Sequence, residues 1–222
     1  MRLYHFLKAE HALDDIKKKR IKISLIPDLN DPFEINSIRQ PTFKHRSIWT
    51  DFIKDLGKRF GVICFSKEWE NPLLWSHYAD KHYGICLGFE ASSELAEKVK
   101  YRKSKLPYEL NLDHPTGGLG NEEMKEILIT KYSGWIYEDE MRVVAKLESS
   151  EPHPEDPAKL FYFADFSSEL QLREVTVGVR SEVKKEEVEN ALVGYDDRVR
   201  IIKARLAFNS FRVIQNLKGF IS

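Results

Sequence analysis

One stretch, residues 62–89, constrains the fold of this chain more than any other. It begins with a short apolar run, 62–65, whose β-forming residues predict a buried strand. Asn71 and Pro72 can open a helix, because proline is tolerated in a first turn. An apolar stripe follows at helical spacing: Leu74, Trp75, Tyr78 and Ala79. Gly84 ends this helix and 85–89 begins a second apolar strand. The stretch therefore predicts a compact strand–helix–strand unit.

This unit carries more hydroxyls, rings and imidazoles than a purely structural element needs. The polar set consists of Ser66, Trp69, Ser76, His77, Tyr78, His82 and Tyr83. Several of these residues lie close to the end of the first strand, which predicts a functional site there. Aromatic residues at helical spacing are also typical of a core, so the rings alone do not decide between site and core.

The remaining pattern predicts a single α+β domain that spans residues 1–222. We expect one mixed or antiparallel sheet with flanking helices, built from alternating strand and helix patterns. The predicted strands are 3–7, 21–26, the last part of 131–145, 174–179, 198–206 and 211–214, and the predicted helices are near 12–16 and at 46–59, 122–130 and 184–192. Loops are expected at 110–121 and 152–157, where proline and glycine concentrate.

Composition narrows the function classes. Lysine plus arginine equals aspartate plus glutamate at 35 each, so bulk charge indicates neither nucleic acid nor membrane as partner. The cysteines Cys64 and Cys86 both fall in apolar strand runs and are interpreted as reduced thiols of a cytoplasmic protein. No cysteine–histidine spacing is typical of zinc, and His77 and His82 do not share a helix face, so we expect no metal.

The sharpest chemical feature is the acidic segment that opens the strand in the last part of 131–145. Glu138 and Glu140 are two residues apart, so on a strand both carboxylates point to the same side. Arg142 lies on that side too and can neutralise one of them. The alternative is a solvated strand edge with an internal salt bridge, and the pattern alone leaves both open.

Two further features admit a functional and a structural interpretation. His5 lies between Tyr4 and Phe6 in the first strand, where a histidine is more often a hydrogen-bonded core residue than a ligand-binding one. Asn30 belongs to the segment 29–34, which has the chemistry of a well-made turn. The chain has no G-x-x-x-x-G-K-[ST], G-x-G-x-x-G or G-x-S-x-G, which removes the commonest nucleotide-binding and hydrolase motifs.

Taken together, the motifs resemble a bacterial protein family known as domain of unknown function 2971. The resemblance covers most of the chain. It lies in residues 4–6, 29–34, 64–66, 74–79, 82–89, 135–142 and 173–178.

A second resemblance, at the level of a superfamily, suggests an activity. The chain order of a first-strand histidine, Phe-Ser at a strand end, an aromatic helix and Glu-x-Glu before a late strand is similar to the ADP-ribosyltransferase fold. The resemblance implies that Glu140 is the catalytic acid, with Glu138 its partner and Ser66 the supporting serine. It implies NAD contacts from His5, Tyr4, Asn30 and Arg142, and a stacking ring from Trp75 or Tyr78.

The resemblance implies an enzyme that consumes NAD, by ADP-ribose transfer or by hydrolysis, in a phage-defence or toxin setting. NAD would be the substrate, and the partner an unidentified macromolecular acceptor. The alternative is a catalytically silent module of the same fold that binds a nucleotide or a protein partner.

Overall fold

The computed structural model describes residues 1–114, 117–148, 150–152, 156, 159–195 and 199–220. Within this part the strands and α-helices follow in chain order as β1 (Arg2–Leu7), α1 (Ala9–Lys18), β2 (Arg20–Leu25), α2 (Phe43–Gly57), β3 (Phe60–Ser66), α3 (Pro72–Tyr78), β4 (Ile85–Ala91), β5 (Glu97–Lys98), β6 (Lys100–Arg102), α4 (Asn121–Leu128), β7 (Thr130–Tyr132), β8 (Glu140–Lys146), β9 (Ser150–Pro152), β10 (Leu160–Asp165), β11 (Leu170–Val177), α5 (Lys185–Ala191), β12 (Arg200–Leu206) and β13 (Val213–Gln215).

Eleven of these strands form one mixed sheet. The order is β13-β12-β11-β4-β1-β3-β2-β10-β9, and β8 and β5 extend it from the other side of β3. Strands β11 and β12 are parallel, whereas the other pairs in this sheet are antiparallel. Strands β6 and β7 form a separate parallel pair. The prediction of an α+β fold with a mixed sheet and flanking helices is confirmed.

The strand–helix–strand unit predicted from residues 62–89 is present as β3, α3 and β4. Asn71 caps α3, because its side-chain oxygen accepts a hydrogen bond from the Leu73 backbone at 3.0 Å. Pro72 occupies the first turn, as expected. A side chain at Gly84 would collide with the Leu7 carbonyl, so the close approach of β1 requires glycine there. β3 and β4 do not pair with each other, because β1 lies between them.

Three groups of buried apolar side chains hold the layers together. The largest packs α1 and α5 against one face of the sheet and includes Leu3, Ile16, Leu87 and Val188. A second lies under α3 and includes Phe6, Trp75 and Cys86. A third joins α2 to α4 through Trp49, Leu56 and Ile127. Because β1 contributes to both of the first two groups, alternate residues of this strand face different layers.

The structure corrects part of the sequence interpretation. Glu138 does not lie on a strand with Glu140: it ends a 3-10 helix, Ser133–Glu138, and Asp139 then takes a left-handed conformation before β8 begins. Neither glutamate is solvated, since Glu138 and Glu140 are both buried. Strands β5, β6, β7, β9 and β10 were not predicted. The loop predicted at 152–157 falls largely outside the described residues.

None of the described helices has the length and apolar character that crossing a membrane requires.

Asp15 on α1 supplies a prediction about stability. Its side chain is buried, and burial, aided by the nearby Asp14, raises the pKa of Asp15 from 3.8 to about 7, against opposing effects from Arg20 and Lys22. The folded state therefore binds this proton more tightly than the unfolded state. We expect the free energy of unfolding to fall by on the order of 2–3 kcal/mol as the pH rises from about 4 to 7, through the ionisation of this group.

Asp15→Asn should remove this dependence and make the protein more stable than the parent at pH 8. Urea denaturation of both proteins at pH 5 and pH 8 measures the difference. Asp55→Asn, at an exposed aspartate on α2, is the control and should keep the parental slope. An unchanged slope in Asp15→Asn would show that other groups cause the pH dependence.

Candidate functional site

A pocket of about 300 Å³ opens where β1 and β3 separate. In the described residues these two strands pair only at Tyr4 and Ser66. Beyond that point β3 pairs with β2 instead, through Ser24 and Val62. The wedge between β1 and β3 is bridged by His5, whose Nδ1 lies 2.8 Å from the Cys64 carbonyl oxygen. The split in the sheet thus creates a cavity that both strands line.

Most of the residues singled out in the sequence line this one pocket. They come from distant parts of the chain and comprise Tyr4, His5, Asn30, Ser66, Tyr78, Glu138 and Glu140. Two candidates are placed elsewhere. Trp75 is fully buried beneath the sheet, where its Nε1 donates to the Trp69 carbonyl at 2.5 Å. Arg142 lies behind the pocket wall and is also buried.

The side chains of the pocket wall form a network of buried charges around Lys131. Its Nζ lies 2.6 Å from Glu138 Oε2, 3.0 Å from Glu140 Oε2 and 3.6 Å from Glu34 Oε2. Lys131 is the first of two residues of this network that the sequence analysis did not identify as site residues. It comes from β7, the short strand that pairs with β6.

Arg142 completes this network from β8. Its Nε donates to Glu140 Oε1 at 2.8 Å, its Nη2 lies 2.7 Å from the same oxygen, and Nη2 donates to Glu34. Its Nη1 donates to the Leu128 carbonyl at 2.8 Å. Arg142 is thus fixed by both its carboxylate partners and the backbone. Glu34, the second residue not indicated, had been interpreted as part of a turn.

The two central glutamates differ in their electrostatic state. Burial opposes the ionisation of Glu140, but the Arg142 and Lys131 cations outweigh it and hold the pKa of Glu140 at about 2. At Glu138 burial prevails over the Lys131 cation and raises the pKa. The difference follows from the contacts, since Glu140 lies against both Arg142 and Lys131 whereas Glu138 is paired with Lys131.

The two carboxylates also differ in the donors that they contact. Glu140 accepts from Arg142 Nε through Oε1 and from Lys131 through Oε2, and Arg142 Nη2 also lies 2.7 Å from Oε1. Glu138 accepts from Lys131 through one oxygen and from the Tyr78 hydroxyl through the other. A carboxylate offers about four acceptor positions, so Glu138 retains capacity for a further donor.

Tyr78 connects α3 to this wall. Its hydroxyl donates to Glu138 and accepts from Asn30 Nδ2 at 3.1 Å. Burial, followed by the Glu138 charge, raises the pKa of Tyr78 well above its ordinary range, so the phenol keeps its proton. Its ring lines the pocket and is available for contact with a ligand.

His5 and Cys64 are uncharged at neutral pH. Burial lowers the pKa of His5, although its bond to the Cys64 carbonyl acts in the opposite direction. A carbonyl only accepts, so Nδ1 carries the proton and Nε2 is an acceptor. Burial, together with the Glu140 charge, raises the pKa of the Cys64 thiol well above its ordinary value, which makes this thiol a poor nucleophile.

The rest of the polar set in residues 62–89 has structural contacts. The Ser76 hydroxyl donates to the Pro72 carbonyl at 3.0 Å, and the His82 ring stacks on Trp75. His77 stacks on Tyr137, with ring centres 6.1 Å apart. Within the described ranges, no group of three or more histidine, cysteine, aspartate or glutamate residues could hold a metal ion.

Comparison of the chain with known protein families, with curated proteins and with solved structures finds no match. The two resemblances of the sequence therefore stay predictions.

Proposed function

We propose that this chain binds NAD in the pocket between β1 and β3 and cleaves the bond between nicotinamide and ribose. The observation that carries the proposal is the chemistry of the pocket wall. A neutral histidine, a serine, a tyrosine and two buried glutamates from separate segments line the same cavity. This set and its chain order are what an ADP-ribosyltransferase-like fold would require.

The charge of the wall suits this chemistry. Cleavage of a glycosidic bond passes through a state in which positive charge develops on the sugar, and a fixed carboxylate stabilises that charge. The network has one more acid than it has bases, and the other charged residues that line the pocket, Lys22 and Asp28, balance one another. A cation that forms in this pocket is therefore favoured over an anion.

The geometry assigns distinct roles to the two glutamates. We propose that Glu138, with its free acceptor capacity, contacts the ribose and stabilises the developing charge. Arg142 holds Glu140 in place, and Glu140 accepts a hydrogen bond from Lys131. Lys131 in turn positions Glu138. The Tyr78 ring would pack against the departing nicotinamide and exclude water. Nicotinamide leaves with the electron pair of the broken bond, and water or an acceptor nucleophile bonds to the ribose carbon.

The size of the pocket fits part of the substrate. A volume of about 300 Å³ lies at the lower end of the range for small-molecule sites. It therefore suits the nicotinamide and its ribose rather than the whole dinucleotide. The acceptor and a phage-defence or toxin setting stay predictions.

One observation favours a second candidate function, a nucleotide-binding module without turnover. Glu140, the acid that the superfamily resemblance places in catalysis, is held by a cation on each oxygen, Arg142 on Oε1 and Lys131 on Oε2. If no glutamate here can reach a ribose hydroxyl, the pocket binds its ligand and does not cleave it.

Incubation of the purified protein with NAD is expected to release nicotinamide, and NAD should raise the melting temperature by mass action. Tyr78→Ala should lower the affinity for NAD and the rate of nicotinamide release, each by roughly tenfold, because it removes the ring and one hydrogen bond of Glu138. The rise in melting temperature at a given NAD concentration should shrink accordingly. Tyr83→Ala, which removes an exposed tyrosine just beyond α3, is the control and should match the parent.

The two readouts separate the candidates. Thermal stabilisation without nicotinamide release would support the silent module and reject the enzyme. An unchanged melting temperature at millimolar NAD, with no nicotinamide, would reject both.

A further inference from the structure

A second cavity, of about 460 Å³, lies on the far side of Lys131 from the pocket between β1 and β3. Its floor is the carboxyl end of the parallel pair β6 and β7, where Arg102 lies beside Tyr132. One wall is the segment 102–105, which leaves β6 and returns to the body of the protein where Leu106 bridges to Ile38. The opposite wall comes from Phe33, Asn36 and Ser37.

The charged side chains that line this cavity are all positive. They are Arg102, Lys103, Lys105 and Lys131, and no acidic side chain lines the cavity among the residues that the structure describes. Two of these charges are already compensated. Arg102 pairs with Glu126 at 3.1 Å, and Lys131 is surrounded by its three glutamates.

Lys103 and Lys105, unlike Arg102 and Lys131, have no compensating carboxylate among the described residues. In the described part of the chain neither lysine has a carboxylate within salt-bridge distance. Burial lowers the pKa of Lys105. In a chain whose lysine and arginine total equals its aspartate and glutamate total, two uncompensated lysines at one cavity indicate an anionic ligand.

Two buried hydroxyls on the wall point to the same conclusion. Ser37 and Thr130 are more than nine-tenths buried, both line the cavity, and neither hydroxyl has a hydrogen-bond partner among the described residues. A buried hydroxyl without a partner is unfavourable, so a ligand that accepts hydrogen bonds would be stabilised here. Phosphate oxygens accept from both hydroxyls and lysines.

The rim of the cavity is aromatic. Phe33 is 61% exposed and Tyr132 is 56% exposed, and both line the opening. Exposed rings beside uncompensated cations are the combination that proteins use to bind nucleotides, because every base presents a flat face for stacking.

We propose that this cavity is a second ligand site and that it binds a nucleotide. Lys103 and Lys105 contact the phosphates, with hydrogen bonds from Ser37 and Thr130, while the base stacks on Phe33 or Tyr132. The site is separate from the proposed NAD-cleaving pocket and does not depend on its activity. Among the described residues the two cavities share only Lys131, so a ligand in either one contacts the same buried ion network from opposite sides.

Calorimetric titration with ATP tests the proposal, with adenosine and inorganic tripolyphosphate as the two partial ligands. ATP should bind, and each partial ligand should bind roughly tenfold more weakly or worse, since one lacks the phosphates and the other lacks the base. The double variant Lys103→Ala, Lys105→Ala should weaken ATP binding by roughly tenfold or more. Phe33→Ala combined with Tyr132→Ala should bring ATP to the affinity of tripolyphosphate.

The controls separate this site from the other pocket. Lys8→Ala with Lys17→Ala removes two exposed lysines on and beside α1 and should leave ATP binding unchanged. Tyr78→Ala should also leave it unchanged. The proposal is overturned if ATP does not bind at millimolar concentration or if the lysine pair variant binds like the parent. It is also overturned if tripolyphosphate binds as tightly as ATP, or if only Tyr78→Ala weakens binding.

Discussion

Replacing Arg142 with methionine is expected to lower the free energy of unfolding by about 3–5 kcal/mol. Arg142 is 1% exposed and pairs with both Glu34 and Glu140. The network already contains three acids and two bases, so the loss of this cation leaves three buried glutamates around Lys131 alone. Methionine fills much of the same space, and the cost therefore comes from uncompensated charge rather than from a cavity.

Denaturation in urea measures this cost. Arg2→Met is the matched control, because Arg2 pairs with Glu90 at 3.6 Å on the protein surface at the start of β1 and should contribute about 1 kcal/mol or less. The double variant Arg142→Met, Glu34→Gln should recover part of the loss, since it removes one of the acids left without a partner. If Arg142→Met costs no more than Arg2→Met, the buried network is not a determinant of stability.

The sequence predicts those parts of the fold whose own residues decide their conformation. The unit at 62–89 was predicted because its strands are continuous apolar runs and Asn71 and Pro72 mark the start of the helix. Its end was predicted wrongly, since α3 ends at Tyr78 and a 3-10 turn, Asp80–His82, precedes Gly84. Strands β5 to β7 are two or three residues long and mostly polar, so no periodicity marks them. They form because partner strands elsewhere in the chain supply their hydrogen bonds.

The sequence predicted part of the candidate site, namely the residues that belong to predicted strands. His5, Ser66 and Glu140 stand out by residue type within recognisable strands. Lys131 does not, because its partners include Glu34, almost a hundred residues away, and the short strand that positions it was not predicted. Glu34 looked like part of a turn because the Asp31 side chain does accept from the Phe33 backbone at 2.9 Å. Long-range ion pairs leave no local pattern.

In the same buried network, we expect the loss of a glutamate to cost less stability than the loss of a cation. Removal of one glutamate leaves two acids and two bases, which is a balanced set. We therefore expect Glu138→Gln to fold, with a cost of about 1–3 kcal/mol from its two lost charge-assisted bonds. Glu140→Gln should cost more, because its amide nitrogen would face the Arg142 and Lys131 donors that Glu140 now accepts from.

Turnover of NAD should fall by roughly a hundredfold or more in Glu138→Gln, because the charge that this side chain contributes matters most in the transition state. Glu140→Gln should lose less turnover per folded molecule, since Glu140 acts through Lys131. The superfamily resemblance predicts the reverse order. Nicotinamide release and melting curves for both variants decide between the two assignments.

Glu174→Gln is the control for the loss of a buried glutamate outside the pocket. Glu174 is also buried and paired, to Arg200 on β12, but it does not line the pocket. Its variant should be destabilised to a similar degree and keep parental turnover per folded molecule. Parental turnover in both Glu138→Gln and Glu140→Gln would remove the carboxylates from the mechanism. An equal loss in all three variants would mean that turnover reports only the stability of the fold.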